Sequence, residues 1–151
     1  MPIDTSLEFV PINIAIITIS DSRTKENDTS GDTLEKRIID AGHQMIKRTI
    51  IPDDVSKIKD TLNAMSKEKD IDCIITTGGT GLTGRDTTPE AVKEIANKHI
   101  DGFGELFRQV SFEKIGTSAI QSRAVAALIN STYVFCLPGS TGACKDGWDE
   151  I

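Results

Sequence analysis

The stretch IDCIITTGGTGLTGRDTTPEA, residues 71–91, runs from an apolar segment into a loop with four glycines, followed by two acids, Asp86 and Glu90. Ile71 to Thr77 is short, rich in β-branched residues and bounded by glycine, which predicts a strand buried on both faces. Pro89 stands at the favoured first position of a following helix, capped by Thr87 or Thr88, with Glu90 near its positive end. A strand, a glycine loop and a helix in that order make one half of a parallel crossover unit.

The same alternation extends outward. Asn13 to Ser20 (NIAIITIS) predicts a first strand, and a helix from about Asp32 stops at Gly42. Gln44 to Ile51 predicts a second strand, closed by Pro52. Val55, Ile58, Leu62 and Met65 then step at helical spacing. Phe103, Leu106, Phe107 and Val110 mark another helix, Ser118 to Ile129 a further one, Thr132 to Leu137 a strand, and a last helix holds Trp148. The expected fold is α/β, a three-layer, mostly parallel sheet with helices on both faces. A chain of 151 residues predicts a single domain over 1–151, with residues 1–10 as an N-terminal arm.

Composition narrows the function. A net charge of −6 argues against broad nucleic-acid binding, which wants a basic surface. No apolar run approaches the roughly 18 residues needed to cross a membrane, and MPIDTSLEF has no basic residue to start a secretory signal. The expected location is the cytoplasm. Cys73, Cys136 and Cys144 show no paired spacing and are read as buried, reduced thiols. His43 and His99 have no ligand spacing and are read as surface or packing residues.

Ligands of open α/β sheets bind outside the carboxyl ends of the strands. Those ends carry Ser20-Asp21, Pro52-Asp53-Asp54, Gly78-Gly79-Thr80-Gly81 and Pro138-Gly139-Ser140. Gly79 to Gly84 spells G-x-G-x-x-G, yet Pro89 starts the helix too late for a dinucleotide site. The ribose-binding acid position, about 20 residues on, is Glu105 in a helical pattern. A P-loop is excluded because no Gly-Lys-Ser/Thr follows. The glycines form either a tight turn or a nest of bare amides for an anion. Asp53 or Asp54 caps the following helix, and Asp86 is either a turn residue or a ligand. Two carboxylates beside such a nest suit Mg²⁺ held jointly with ligand phosphates. Arg85, Arg108 and Arg123 are candidate local cations, Arg123 on the helical side of Ile120 and Ala127.

Five blocks in order, TISD (18–21), IIPDD (50–54), TTGGTGLTGRDTTPEA (76–91), GFGELFR (102–108) and LPGSTGACKDGW (137–148), closely resemble the MoaB/MogA family of molybdenum cofactor biosynthesis. DTSG (28–31) and FEKIGTSAIQSRAVA (112–126) look more like the MoaB branch. The resemblance implies a molybdopterin-binding fold, a homotrimer or homohexamer, and adenylylation of molybdopterin by ATP with Mg²⁺ as cofactor. It implies Asp53 and Asp86 as catalytic and Mg²⁺-holding residues. Gly78, Gly79, Thr80 and Gly81 match its phosphate loop, and Ser20, Asp21, Glu105, Arg108, Ser118, Ser122, Arg123, Pro138, Gly139 and Ser140 its pocket positions. The partners it implies are small molecules, other copies of the chain and other enzymes of that cofactor. A non-catalytic molybdopterin-binding or scaffold protein of the same pathway is the alternative.

Overall fold

Six strands run in the order β2-β1-β3-β6-β5-β4. The computed structural model describes residues 4–151; residues 1–3 of the expected N-terminal arm lie outside the described residues. The strands are β1 (Asn13–Ile19), β2 (Gln44–Ile51), β3 (Cys73–Thr77), β4 (Lys98–His99), β5 (Val125–Ile129) and β6 (Thr132–Leu137). The helices are α1 (Thr29–Asp40), α2 (Val55–Met65), α3 (Thr88–Ile95), α4 (Asp101–Ile115) and α5 (Thr141–Asp149). β2, β1, β3 and β6 are parallel, with Ile16 opposite Ile75 and Ile75 opposite Phe135. β5 and β4 extend the sheet antiparallel. The architecture is the expected three-layer, mostly parallel α/β fold.

Because strand side chains alternate, each central strand feeds both layers. Ala15, Ile17 and Ile19 pack with Ile58 and Leu62 of α2 and Val92 of α3. Ile14 and Ile16 pack with Leu34 of α1, Phe107 of α4 and Cys144 of α5. Burial pushes the Cys73 and Cys136 thiols up to about 12, so both stay protonated at neutral pH.

Three boundaries differ from the sequence reading. α1 begins at Thr29, because Asp28 is buried as its cap and accepts the Gly31 N–H at 3.0 Å. Gly116–Gln121 is a 3₁₀ turn, and β5 occupies the second half of the expected Ser118 to Ile129 helix. Its successive residues Ala126 and Ala127 feed opposite core layers, which a strand allows and the sheet edge at β6 rewards. β4 has only two residues and gave no periodic signal. Among the described residues no helix is long and apolar enough to cross a membrane.

Candidate functional site

The chain leaves β1 toward α1 on one face, β3 toward α3 on the other, and β6 toward α5 on the first face. The β3 loop therefore diverges from both neighbours, and a crevice opens at the carboxyl ends where strand connections part. A cleft of about 730 Å³ lies there.

Gly78 and Gly79 form its floor with φ of 108° and 68°. A Cβ on Gly78 would collide with the Ile19 carbonyl oxygen, so the β3 backbone passes β1 at a distance only glycine allows. Thr88 fastens the turn, its N–H donating to Gly79 O at 2.9 Å and its hydroxyl to Gly78 O at 3.1 Å. Among the described residues the amides of Gly79 and Thr80 donate to no protein acceptor. The loop thus offers main-chain N–H groups to the cleft.

Asp54, not Asp53, caps α2, accepting the Lys57 N–H at 2.9 Å. That leaves Asp53 turned toward α3, where its Oδ1 accepts the Thr87 N–H at 3.2 Å and the Thr87 hydroxyl at 3.0 Å. Thr87 is the N-cap residue of α3 and spends its hydroxyl on Asp53 rather than on its own helix. Partial burial raises the pKa of Asp53, and the negative charges of Asp86 and Asp21 add to it. Asp86 behaves oppositely. The Thr83 hydroxyl, at 2.6 Å, and the Thr83 N–H, at 3.0 Å, hold its carboxyl below the ordinary range. Asp21, itself lining the cleft, accepts the Asp53 N–H at 3.2 Å and pairs with Arg85.

Of the residues singled out in the sequence, Ser20, Asp21, Asp53, Gly78 to Gly81, Asp86, Ser118, Ser122 and Pro138 to Ser140 all line this one cleft. Glu105 and Arg108 do not; they line a separate concavity of about 280 Å³ beside β4. Arg123 lies behind the glycine loop, in the link between the 3₁₀ turn and β5 rather than on a helix face. Neither histidine lines the cleft. His43 packs between Phe9 and Trp148 and accepts the Ile12 N–H at 3.2 Å on Nδ1.

The far wall was missed in sequence. Phe107, Ser111 and Ile115 of α4 face the cleft at i, i+4 spacing, and the Ser122 hydroxyl beside them is buried without a partner among the described residues. A serine interrupting the Phe103–Phe107–Ile115 stripe was the available signal. The cleft is thus polar and amide-rich at the glycine end and apolar with hydroxyls at the other, which suits a planar ring carrying phosphate.

The chain is similar to several known proteins. A family described as "probable molybdopterin binding domain" matches residues 15–151. Molybdenum cofactor biosynthesis protein B of Escherichia coli (strain K12) is 44% identical over 146 residues, covering 97% of this chain and 86% of that one. A crystal structure of a molybdenum cofactor biosynthesis protein B superposes with a TM-score of 0.91 at 41% identity, over 94% of this chain and 89% of the other. The tungsten cofactor synthesizing protein MoaB from Pyrococcus furiosus gives a TM-score of 0.83 at 33% identity, over 92% and 89%.

Proposed function

The chain belongs to the MoaB/MogA family of molybdenum cofactor biosynthesis, and from that premise we propose that it adenylylates molybdopterin with ATP. An oxygen of the molybdopterin phosphate forms a bond to the α-phosphorus of ATP. The bond from that phosphorus to the bridging oxygen breaks, and pyrophosphate leaves with the electron pair.

One observation carries the reading: Asp53, Asp86 and the amides of the glycine loop share a single cleft where the β1, β3 and β6 loops part. Phosphoryl-type transfer asks a protein mainly for alignment and charge neutralisation. The glycine amides hold phosphate oxygens, and Ser111 and Ser122 face the ring-bearing end. The donor set suits Mg²⁺, because among the described residues Asp53 keeps Oδ2 free of protein hydrogen bonds and Asp86 faces the same space. Mg²⁺ is commonly held by one or two carboxylates, with phosphates and water completing its shell. Asp53 and Asp86 would hold it, and it would neutralise charge on the triphosphate.

The chain works as one domain in a homo-oligomer, trimeric or hexameric, in the cytoplasm. Exposed Phe112 and Ile120 support self-association through the outer face of α4 and the 3₁₀ turn.

The test is pyrophosphate release from authentic molybdopterin, ATP and Mg²⁺. The parent should turn over, and Asp86→Asn should slow release by about 100-fold or more. Folded protein that binds molybdopterin but never releases pyrophosphate would instead be a scaffold of the pathway.

A further inference from the structure

Among the described residues, Arg123 makes more hydrogen bonds to the glycine loop's main chain than any other side chain does. Its Nε donates to Gly81 O at 2.8 Å and Thr80 O at 3.3 Å, and its Nη2 donates to Asp86 O at 2.7 Å. Nη1 pairs with Glu90. The Arg123 backbone is anchored in the body of the protein, between Ser122, whose N–H donates to Ala119 O at 3.0 Å, and buried Ala124.

In a trans peptide the carbonyl of one residue and the N–H of the next point in opposite directions. Turning the Thr80 and Gly81 carbonyls toward Arg123 therefore turns the amides of Gly81 and Leu82 away from it. The Gly81 amide meets the Asp86 carboxylate, and Leu82 lines the cleft. The third peptide carries a second consequence. Asp86 O accepts from Arg123, while the N–H across that same peptide, Thr87, donates to Asp53 Oδ1 at 3.2 Å. A single peptide plane links the guanidinium to the Asp53 carboxylate.

From this arrangement, and resting on the adenylyltransferase reading above, we infer that Arg123 is a positioning residue. It touches no substrate; it sets the curvature of residues 80–86, so that the Gly81 amide meets Asp86, Leu82 faces the cleft and Asp53 is held in register with the loop. The task needs a planar fork. Three carbonyls spread over seven residues cannot be gathered by the single point of a lysine ammonium. Arg123 is absent from the cleft wall, and its engaged donors point to main chain, which separates it from a cation that grips phosphate.

The experiment compares Arg123→Lys, Arg123→Ala and Glu90→Gln with the parent. It reads amide hydrogen exchange of residues 80–87 and steady-state pyrophosphate release with Mg²⁺, ATP and molybdopterin. Arg123→Lys should fold, exchange about tenfold faster in that segment alone, and lose about 100-fold in kcat with a much smaller change in KM. Millimolar guanidinium should partly restore Arg123→Ala, and ammonium should not. Glu90→Gln should stay within about twofold of the parent, since that pair is solvent-exposed. Full activity in Arg123→Lys, or unchanged exchange in its loop, overturns the inference, as does a loss in Glu90→Gln equal to that of Arg123→Lys. If Arg123→Ala does not fold, the lysine variant decides alone. If the parent releases no pyrophosphate, the adenylyltransferase reading falls, and the exchange data still decide whether Arg123 shapes the loop.

Discussion

Asp53 and Thr87 meet at one carboxylate oxygen, which takes both the main-chain N–H and the hydroxyl of Thr87. The contact ties the loop after β2 to the start of α3 and leaves the second oxygen for the cleft. Partial burial raises the Asp53 pKa, helped by Asp86 and Asp21, and outweighs the hydrogen bonds from Thr87. A carboxyl raised in the folded state contributes stability below its unfolded value of about 3.9, and that contribution is lost as pH rises through the folded value. Ionised Asp53 is therefore a liability to the fold at neutral pH. Asp53→Asn should melt slightly higher than the parent at pH 7 and equally at pH 3, while pyrophosphate release falls by about 100-fold or more. A lower melting temperature at pH 7 would show that the carboxylate is not held against its preference.

Asp86 has the opposite sign. Thr83 holds its carboxyl below the ordinary range, so its contribution is present above the unfolded pKa and fades as pH falls through the folded one. Thr83→Ala removes the 2.6 Å hydroxyl contact. It should cost about 0.5–1 kcal/mol at pH 7, discounted for exposure, and progressively less as pH is lowered toward 2. Urea melts across that range read the difference. A pH-independent deficit would assign the cost to packing.

Much of this was legible in sequence, for physical reasons that differ by element. β1 and β3 are buried on both faces, so their continuous β-branched runs left no other reading, and strand-end logic then gathered Asp53, the glycines and Pro138 to Ser140. β5 was misread because Ala-Val-Ala-Ala-Leu-Ile favours a helix locally, and only its pairing with β6 makes it a strand. That error placed Arg123 on a helix face. Glu105 and Arg108 share a helix with Phe107 and Ser111 but open onto a different concavity, a rotation that spacing within one block does not reveal. The Thr87 contact joins residues 34 positions apart in the chain, beyond any local pattern.

Gly78 marks the closest approach of β3 to β1. Its φ of 108° disfavours any side chain, and a Cβ would strike the Ile19 carbonyl oxygen. Gly78→Ala should destabilise by about 3 kcal/mol through backbone strain and overpacking together. Urea unfolding measures it. An alanine variant as stable as the parent would mean that the loop can reach its place by another path.

Asp28 and Arg48 form the ionic contact most isolated from water. Asp28 is fully buried; its Oδ2 accepts the Thr18 hydroxyl at 2.7 Å and Arg48 Nη2 at 2.9 Å, and Arg48 Nη1 reaches Asp32 at 2.7 Å and Glu35 at 2.8 Å. Burial pushes the Asp28 pKa up, but the hydrogen bonds from Arg48, Thr18 and the Gly31 N–H together carry it below the ordinary value. In the parent, then, Asp28 stabilises the fold above its unfolded pKa, and that stabilisation is lost as pH falls through the lower folded one. Arg48→Met strips the compensation and leaves a buried carboxyl, at a cost of about 3 kcal/mol at pH 7. The sign of the pH dependence should also reverse. With burial unopposed, Asp28 folds more readily as the neutral acid, so the variant should lose stability as pH rises from 4 to 7, where the parent gains or holds it. Urea midpoints at pH 4, 5.5 and 7 resolve the two slopes. Parallel slopes would mean that Thr18 and the Gly31 amide suffice to keep the carboxylate charged, and that Arg48 serves Asp32 and Glu35 instead.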